Sequence, residues 1–375
     1  MADTLYFSRN TKVYAAIGGN VWEIPVLDGF SFSQATNASE ITLNEMSDAS
    51  GNSRRGRQMF TDSYAPAEWS FSTYVRPFKS EGSGTGAADS AEKVHAVEEV
   101  LWAQMVGAGT YASNTFPGLD HTADTNGALD INFDQANKTS LGTIDLFFVM
   151  GATSGGTETV YHIEGCCVNE ASLDFDIDGI ATINWSGMGK IIKEAADADH
   201  SFLSGGAITP TVTEGTSSTS NFIRNRLTSL AISSTSPTTT TYDLVLTGGN
   251  ITISNNMTFL TPETLGTVNQ PLAHVTGTRS VTGNFTCYLN AEASSSADLF
   301  ENIIEGTSTI TNNFNLSFKV GGASGDPRLE LDMAQCHLEV PSHGIEDVIS
   351  LETNFHALPS TIDGTDELTI KYVAT

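Results

Sequence analysis

Leu173-Asp-Phe175-Asp-Ile177 alternates apolar and acidic side chains one by one, the period-two pattern of a strand with one face buried and the other wet. The segment around it returns further along the chain. At a constant offset of 170, Cys166 meets Cys336 and Asn184-Trp185 meets Asn354-Phe355 with no gap between. Other matches keep the same order. Phe7-Ser-Arg9-Asn10 is answered by Phe222-Ile-Arg224-Asn225, Phe30-Ser-Phe32-Ser33-Gln34 by Ile251-Thr-Ile253-Ser254-Asn255, and Phe71-Ser-Thr-Tyr74 by Phe285-Thr-Cys-Tyr288. Single matches of this kind are cheap, but a shared order along the whole chain is the signature of an internal repeat.

Between the matched strands each half carries one helical pattern. Over residues 89–106 the apolar Val94, Val97, Leu101, Trp102 and Met105 fall at helical spacing, Gly107 ends the run, and Asp89 with Glu92 suits an N-terminal capping pair. The second half has Ser295 and Asp298, then Leu299, Phe300, Ile303 and Ile304, stopped by Gly306. Each helix precedes an alternating strand, Ile144-Asp-Leu-Phe-Phe-Val149 and Phe314-Asn-Leu-Ser-Phe-Lys-Val320. The expected unit is strand, strand, helix, strand and long closing hairpin, present twice. It is mainly β, a β-sandwich or barrel with one flanking α-helix. The expected boundaries are 1–203 and 221–375, with insertions around 79–88 and 107–140 in the first copy and a Ser/Thr/Gly-rich linker at 204–220.

Composition narrows the function. The chain has 375 residues, 44 acidic against 17 basic, and a formal charge of -27. The acidity is spread: 27 acidic and 11 basic residues precede position 206, and 17 and 6 follow. Such a surface repels a DNA backbone that carries about one negative charge per 1.7 Å, although a wall past which DNA slides without sticking is compatible with it. The first ten residues have neither a basic nor an apolar signal region, and no apolar run approaches a membrane span. The four cysteines, Cys166, Cys167, Cys287 and Cys336, have no zinc-type spacing and read as buried free thiols.

Chemistry-bearing motifs are weak. Asp174-Phe-Asp-Ile-Asp178-Gly179 resembles the start of a calcium loop, but position 12 is Trp185, so it reads as a wet strand face. His337 and His343 lie near Cys336, yet alternation sends Cys336 and His337 to opposite faces. Gly82-Ser-Gly-Thr-Gly86 lacks a phosphate-loop Lys, and Glu98-Glu99 is too ordinary in this composition to nominate as a glycosidase pair. No nucleophile elbow or zinc-protease helix is present, so no catalytic residue, cofactor or metal is expected.

The pattern resembles the tail tube (major tail) proteins of tailed bacteriophages. The residues that carry the resemblance are Val26-Leu-Asp-Gly-Phe-Ser-Phe-Ser33, the loop through Arg54-Arg-Gly-Arg57, Glu68-Trp69-Ser-Phe-Ser-Thr-Tyr74, the single helix and the closing hairpin. The resemblance implies a structural virion protein that polymerises into stacked rings around a DNA channel, used for genome ejection. It implies self-assembly as the main partnership, with tail sheath, tape measure, and terminator or baseplate proteins as further partners. DNA would pass without specific binding, no membrane would be involved, and assembly would take place in the bacterial cytoplasm. Simple family members form hexameric rings, and a duplicated chain is similar to the kind in which three subunits make a pseudo-hexamer. Ring stacking is expected of a loop over 44–64, through Arg54, Arg55, Arg57, Met59, Phe60 and Tyr64. Its counterpart is expected near 260–280, with Arg279 the one basic residue there. A carbohydrate-binding surface protein and another virion part, a head decoration or baseplate protein, are the competing readings.

Overall fold

A computed structural model describes residues 6–41, 49–52, 58–82, 85–87, 89, 93–107, 109–121, 127–133, 141–151, 158–197, 199–215, 221–234, 239–305, 314–322 and 326–374. In the first half the elements run β1 (Lys12–Ile17), β2 (Asn20–Ile24), β3 (Ser31–Glu40), β4 (Met59–Tyr74), β5 (Pro77–Lys79), β6 (Val94–Ala96), α1 (Glu99–Met105), β7 (Leu119–Asp120), β8 (Ala128–Asn132), β9 (Ile144–Met150), β10 (Thr159–Asp176), β11 (Thr182–Gly189) and β12 (Ile192–Glu194). A small hairpin, β13 (Leu203–Ser204) and β14 (Ala207–Ile208), leads on to β15 (Ser229–Ser234), β16 (Thr240–Tyr242), β17 (Leu246–Ser254), β18 (Thr258–Leu260) and β19 (Ala273–Val275). The chain finishes with β20 (Ser280–Tyr288), α2 (Ser296–Glu305), β21 (Phe314–Gly321), β22 (Arg328–Leu338), β23 (Ser342–Ile345), β24 (Ile349–Ala357) and β25 (Thr369–Val373).

Eight of these strands form one antiparallel sheet in the order β3, β4, β11, β10, β17, β20, β24, β23, four from each half. Its alternation is consistent from strand to strand. Phe71, Trp185, Ala171, Ile253, Val281 and Ala357 lie directly opposite one another in turn, and all are buried. The next row, Ser72, Asn184, Ser172, Thr252, Thr282 and His356, faces away from the core. The expected strand sits at the centre of this sheet with Leu173 and Phe175 in the core and Asp174 and Asp176 exposed, but it ends at Asp176, and Ile177, expected on the buried face, is exposed. Two glycines mark where aromatic rings cross the ladder. A Cβ on Gly187 would meet the Trp69 indole at 2.5 Å, and one on Gly283 would meet the Phe355 ring at 2.6 Å.

Outer layers cover the buried face. In the first half β2, β1, β9, the start of β10 and β12 pair in that order. In the second, β16, β15, β21, the start of β22 and β25 do the same. β10 and β22 run through both layers and tie the strands into one barrel-like system. The second outer layer does not stop at β25. β8, from the 107–140 insertion of the first half, pairs with it along Ala128↔Val373 to Asn132↔Thr369. One hydrophobic core accordingly runs through both halves, from Trp22 and Trp102 to Phe318 and Tyr372.

The first helix is shorter than its apolar spacing suggests. Residues Val94–Ala96 form a strand against Pro77–Lys79 instead, and the helix starts only after Glu98, which makes no side-chain cap. Asp89 is therefore not a cap; it accepts a hydrogen bond from Lys93 Nζ at 3.1 Å. Every residue of α1 is buried, including Glu99 and Gln104, so this is a core helix rather than a flanking amphipathic one. The second helix matches its expected span, and Asp298 accepts the Ser294 N–H at 2.6 Å. Part of the Ser/Thr/Gly-rich 204–220 stretch packs down, because Ile208 and Val212 are buried and Thr211 bonds back to Val21.

A buried polar chain fixes α1 to the last strand, β25. Trp102 Nε1–H donates to the Tyr372 hydroxyl at 2.6 Å, and that hydroxyl donates to Glu98 Oε1 at 2.7 Å. Burial pushes the Glu98 carboxyl up to about 7 despite that hydrogen bond. A carboxyl that holds its proton more tightly when folded adds stability that is complete below about pH 4.5, its ordinary value, and is lost as pH rises through about 7. We expect the stability of the unassembled chain, relative to Glu98→Gln, to fall by about 3 kcal/mol across that window in urea unfolding series. A pH-independent difference between the two would refute the assignment.

Candidate assembly interface

The eight-stranded sheet has two edges. Among the described residues β3 pairs only with β4, and β23 only with β24. Both strands are poorly covered: β3 is exposed along most of its length and β23 throughout. Unpaired N–H and C=O groups on such edges template pairing with another strand. The sheet already contains the kind of junction that could satisfy them. Between the halves, β10 and β17 pair over seven residues, from Glu170↔Ser254 to Asp176↔Gly248.

The exposed face of this sheet is hydroxyl-rich and acidic. Its side chains bond across the strands: Ser72 Oγ to Asn184 Oδ1 at 2.6 Å, and Asn250 Nδ2 to Asp174 Oδ1 at 2.8 Å. Glu68, Glu170, Asp174, Asp176 and Glu352 belong to it, while none of the eight strands contains a Lys or Arg. A sheet with carboxylates on one face and no fixed cations to neutralise them presents a negative field to whatever faces it.

Apolar groups project from one end of the molecule. Met59 and Phe60 open β4 at 59% and 57% exposure. Tyr64 is only half-buried, and its backbone N–H donates to Asn269 O at 2.9 Å, while Asn269 N–H donates to Asp62 O. The start of β4 is thus held by the connection between β17 and β20. That connection carries the exposed Leu260, Leu265, Leu272 and Val275. Arg54, Arg55 and Arg57 lie outside the described residues. Arg279, expected as the basic group of the second loop, points inward: its Nε donates to Glu367 at 2.5 Å and its guanidinium lies over the Phe133 ring. Sequence reasoning also missed Ile345 and Val348 at the tip of the β23–β24 hairpin, exposed at 80% and 58%. Ile345 closes β23 opposite Ile349 and Val348 lies in the turn between them, so no sustained strand or helix period singles them out.

The other singled-out groups are structural. Asp174 accepts from Asn184 and Asn250 on the wet face. Cys336 is buried and His337 exposed, on opposite faces as alternation requires. All four cysteines are buried and unpaired, and burial pushes the Cys167 thiol up to about 12, far from a reactive thiolate. Among the described residues no helix is long and apolar enough to cross a membrane.

Comparison with known proteins gives two matches. The phage tail tube protein family matches residues 27–357. The chain is also similar to tail tube protein pb6 of Escherichia phage T5, 30% identical over 376 residues that cover 97% of this chain and 75% of the relative.

Because Met59 and Phe60 make little contact within their own chain, Met59→Ser with Phe60→Ser should change the unfolding free energy of the unassembled protein by no more than about 0.5 kcal/mol. Chemical denaturation measures this, and a larger loss would mean that these side chains belong to the fold.

Proposed function

The chain belongs to the phage tail tube protein family, structural proteins of the virion tail that assemble into its tube, and on that premise we propose that it is a tandem duplicate whose ring contains three copies. The single observation that carries this reading is the β10–β17 junction, a seven-residue ladder between the halves. If the ring repeats that junction between molecules, the free edge at β23 of one copy meets β3 of the next. Each copy then supplies eight strands to a closed inner barrel, and no edge stays unpaired.

Ladder register supports the duplication. Taking Ser31 as the counterpart of Thr252, their partners Ser70 and Thr282 correspond, and the partners of those, Ser186 and His356, correspond in turn. That last pair has the offset of 170 at which the closing hairpins match. The match of Phe71 to Phe285 departs from this register by two residues. It keeps the face but shifts by one pleat, so Phe71 corresponds to Gly283.

In such a ring the exposed face of the eight strands lines the lumen. Its carboxylates, with no Lys or Arg among them, repel the phosphate backbone and leave DNA free to slide. The role is structural and needs no catalysis. Family membership does not favour a carbohydrate-binding surface protein. Ring-to-ring contact is assigned to the apolar end, Met59, Phe60 and Tyr64, together with Arg54, Arg55 and Arg57 against the acidic surface of the neighbouring ring.

Native mass spectrometry of disassembled tubes, with a reconstruction of the assembled ones, tests the symmetry. Three chains per ring are expected, with an acidic lumen; six chains per ring, or a basic lumen, would overturn the reading. Replacing Arg54, Arg55 and Arg57 together by Glu should leave the circular dichroism of the monomer unchanged and abolish tube formation. Normal tubes from that variant would remove the loop from the interface.

A further inference from the structure

Away from the sheet edges, the first half buries a cluster of ionisable side chains that tube assembly does not use. His95 lies in β6, Glu99 opens α1, and His121 follows β7. All three are buried, and one ligand atom from each lies within 4.8 Å of the others. His95 Nδ1 is 3.0 Å from Glu99 Oε2, and the two imidazole rings are 4.3 Å apart. The Nδ1–H of His121 donates to the Val94 carbonyl at 2.8 Å. That bond fixes the tautomer and leaves Nε2 as a lone-pair donor, and among the described residues Nε2 has no hydrogen-bond partner. On the far side of His95, Asp89 Oδ2 stands 3.6 Å from Nε2, an electrostatic neighbour rather than a hydrogen-bond acceptor.

The surrounding polar groups are also unsatisfied. Among the described residues, both carboxylate oxygens of Glu214 and the Tyr111 hydroxyl are buried without a hydrogen-bond partner. Buried polar groups almost always have partners, so orphaned atoms around a His–Glu–His set ask for one. Burial and the nearby Glu99 charge hold the Glu214 carboxyl well above the usual range, as expected where negative groups crowd a dry space with too little positive charge. A surface cavity of about 310 Å³, lined by Thr110, Phe116 and Leu119, reaches His121.

We propose that His95, Glu99 and His121 bind a divalent transition-metal ion of the zinc class, through His95 Nδ1, a Glu99 carboxylate oxygen and His121 Nε2. Two imidazoles and a carboxylate suit such ions, and the fourth position falls to water. Donors at about 2.0–2.1 Å from a tetrahedral ion lie roughly 3.3 Å apart. The His95–Glu99 spacing is near that already, and the His121 ring has to shift inward while keeping its bond to the Val94 carbonyl. The ion is structural. His121 belongs to the insertion that carries β8, so metal would pin that insertion to α1 and, through β8 and β25, to the second half.

The test uses the full chain, freed of metal by a chelator and titrated with Co²⁺ and Zn²⁺. One Co²⁺ per chain, with the strong visible bands of tetrahedral coordination displaced by Zn²⁺, and a thermal midpoint raised by several degrees are expected. His121→Ala should lose the bands and the thermal shift, and His162→Ala, at another histidine cluster, should keep both. Absence of stoichiometric Co²⁺ binding by the folded wild-type chain at micromolar concentration would overturn the proposal, leaving a buried His–Glu ion pair. Full binding by His121→Ala would also overturn it. Should His121→Ala fail to fold, the wild-type titration decides alone, read together with His121→Gln, which preserves size but removes the imidazole.

Discussion

Backbone hydrogen bonding between β10 and β17 is the constraint on which the rest of the molecule depends. Seven residue pairs turn two four-stranded blocks into one sheet, and that sheet sets which faces are buried and which edges remain. A one-residue slip at this junction would send Leu173 and Phe175 to the wet side and Asp174 into the core, because side chains alternate at every position. The packed rows on either side, from Phe71 to Ala357, hold the register.

The junction also explains why the edges matter. A sheet sealed internally at β10 and β17 still ends at β3 and β23, and neither edge strand carries the lysines or the covering helix that commonly protect such edges. In the proposed ring these two edges are the surfaces that meet between copies. The negative field of the wet face comes from the same eight strands, whose outward positions carry Ser, Thr, Asn, His356 and carboxylates and which contain no Lys or Arg.

The two halves are further coupled on the outer side. The 107–140 insertion supplies β8 to β25, and Trp102, Tyr372 and Glu98 form a buried polar chain that joins α1 to the last strand. Buried polar contacts of this type are demanding, since each unpaired group carries its full desolvation penalty. They locate the helix with a specificity that apolar packing alone does not give. The His95 cluster lies beside this chain and belongs to the same region of the first half.

Local pattern was enough for much of this. Alternation along 173–177, 144–149 and 314–320 is a period-two signal that a strand carries within itself, so those strands were legible, as was α2 with its Asp298 cap. The first helix was over-read because the apolar spacing of Val94 and Val97 also fits a buried strand, and the decision was made by β5, which Val94–Ala96 meets only in the folded chain. Likewise, under the proposed duplication, Phe71 matches Phe285 by residue pattern and Gly283 by ladder register; both lie on the same face, so only the ladder separates them.

What the sequence by itself determined was the mainly β class, the ordered recurrence of its segments and the acidity, all properties of neighbouring residues or of sums. Tertiary structure alone decided which strands have one partner and which have two, that β8 crosses to β25, that Arg279 turns inward to Glu367, and that His95, Glu99, His121 and Glu214 share one buried space. Those facts depend on pairings between distant segments, and a residue's own neighbours along the chain do not encode which distant segment it will meet.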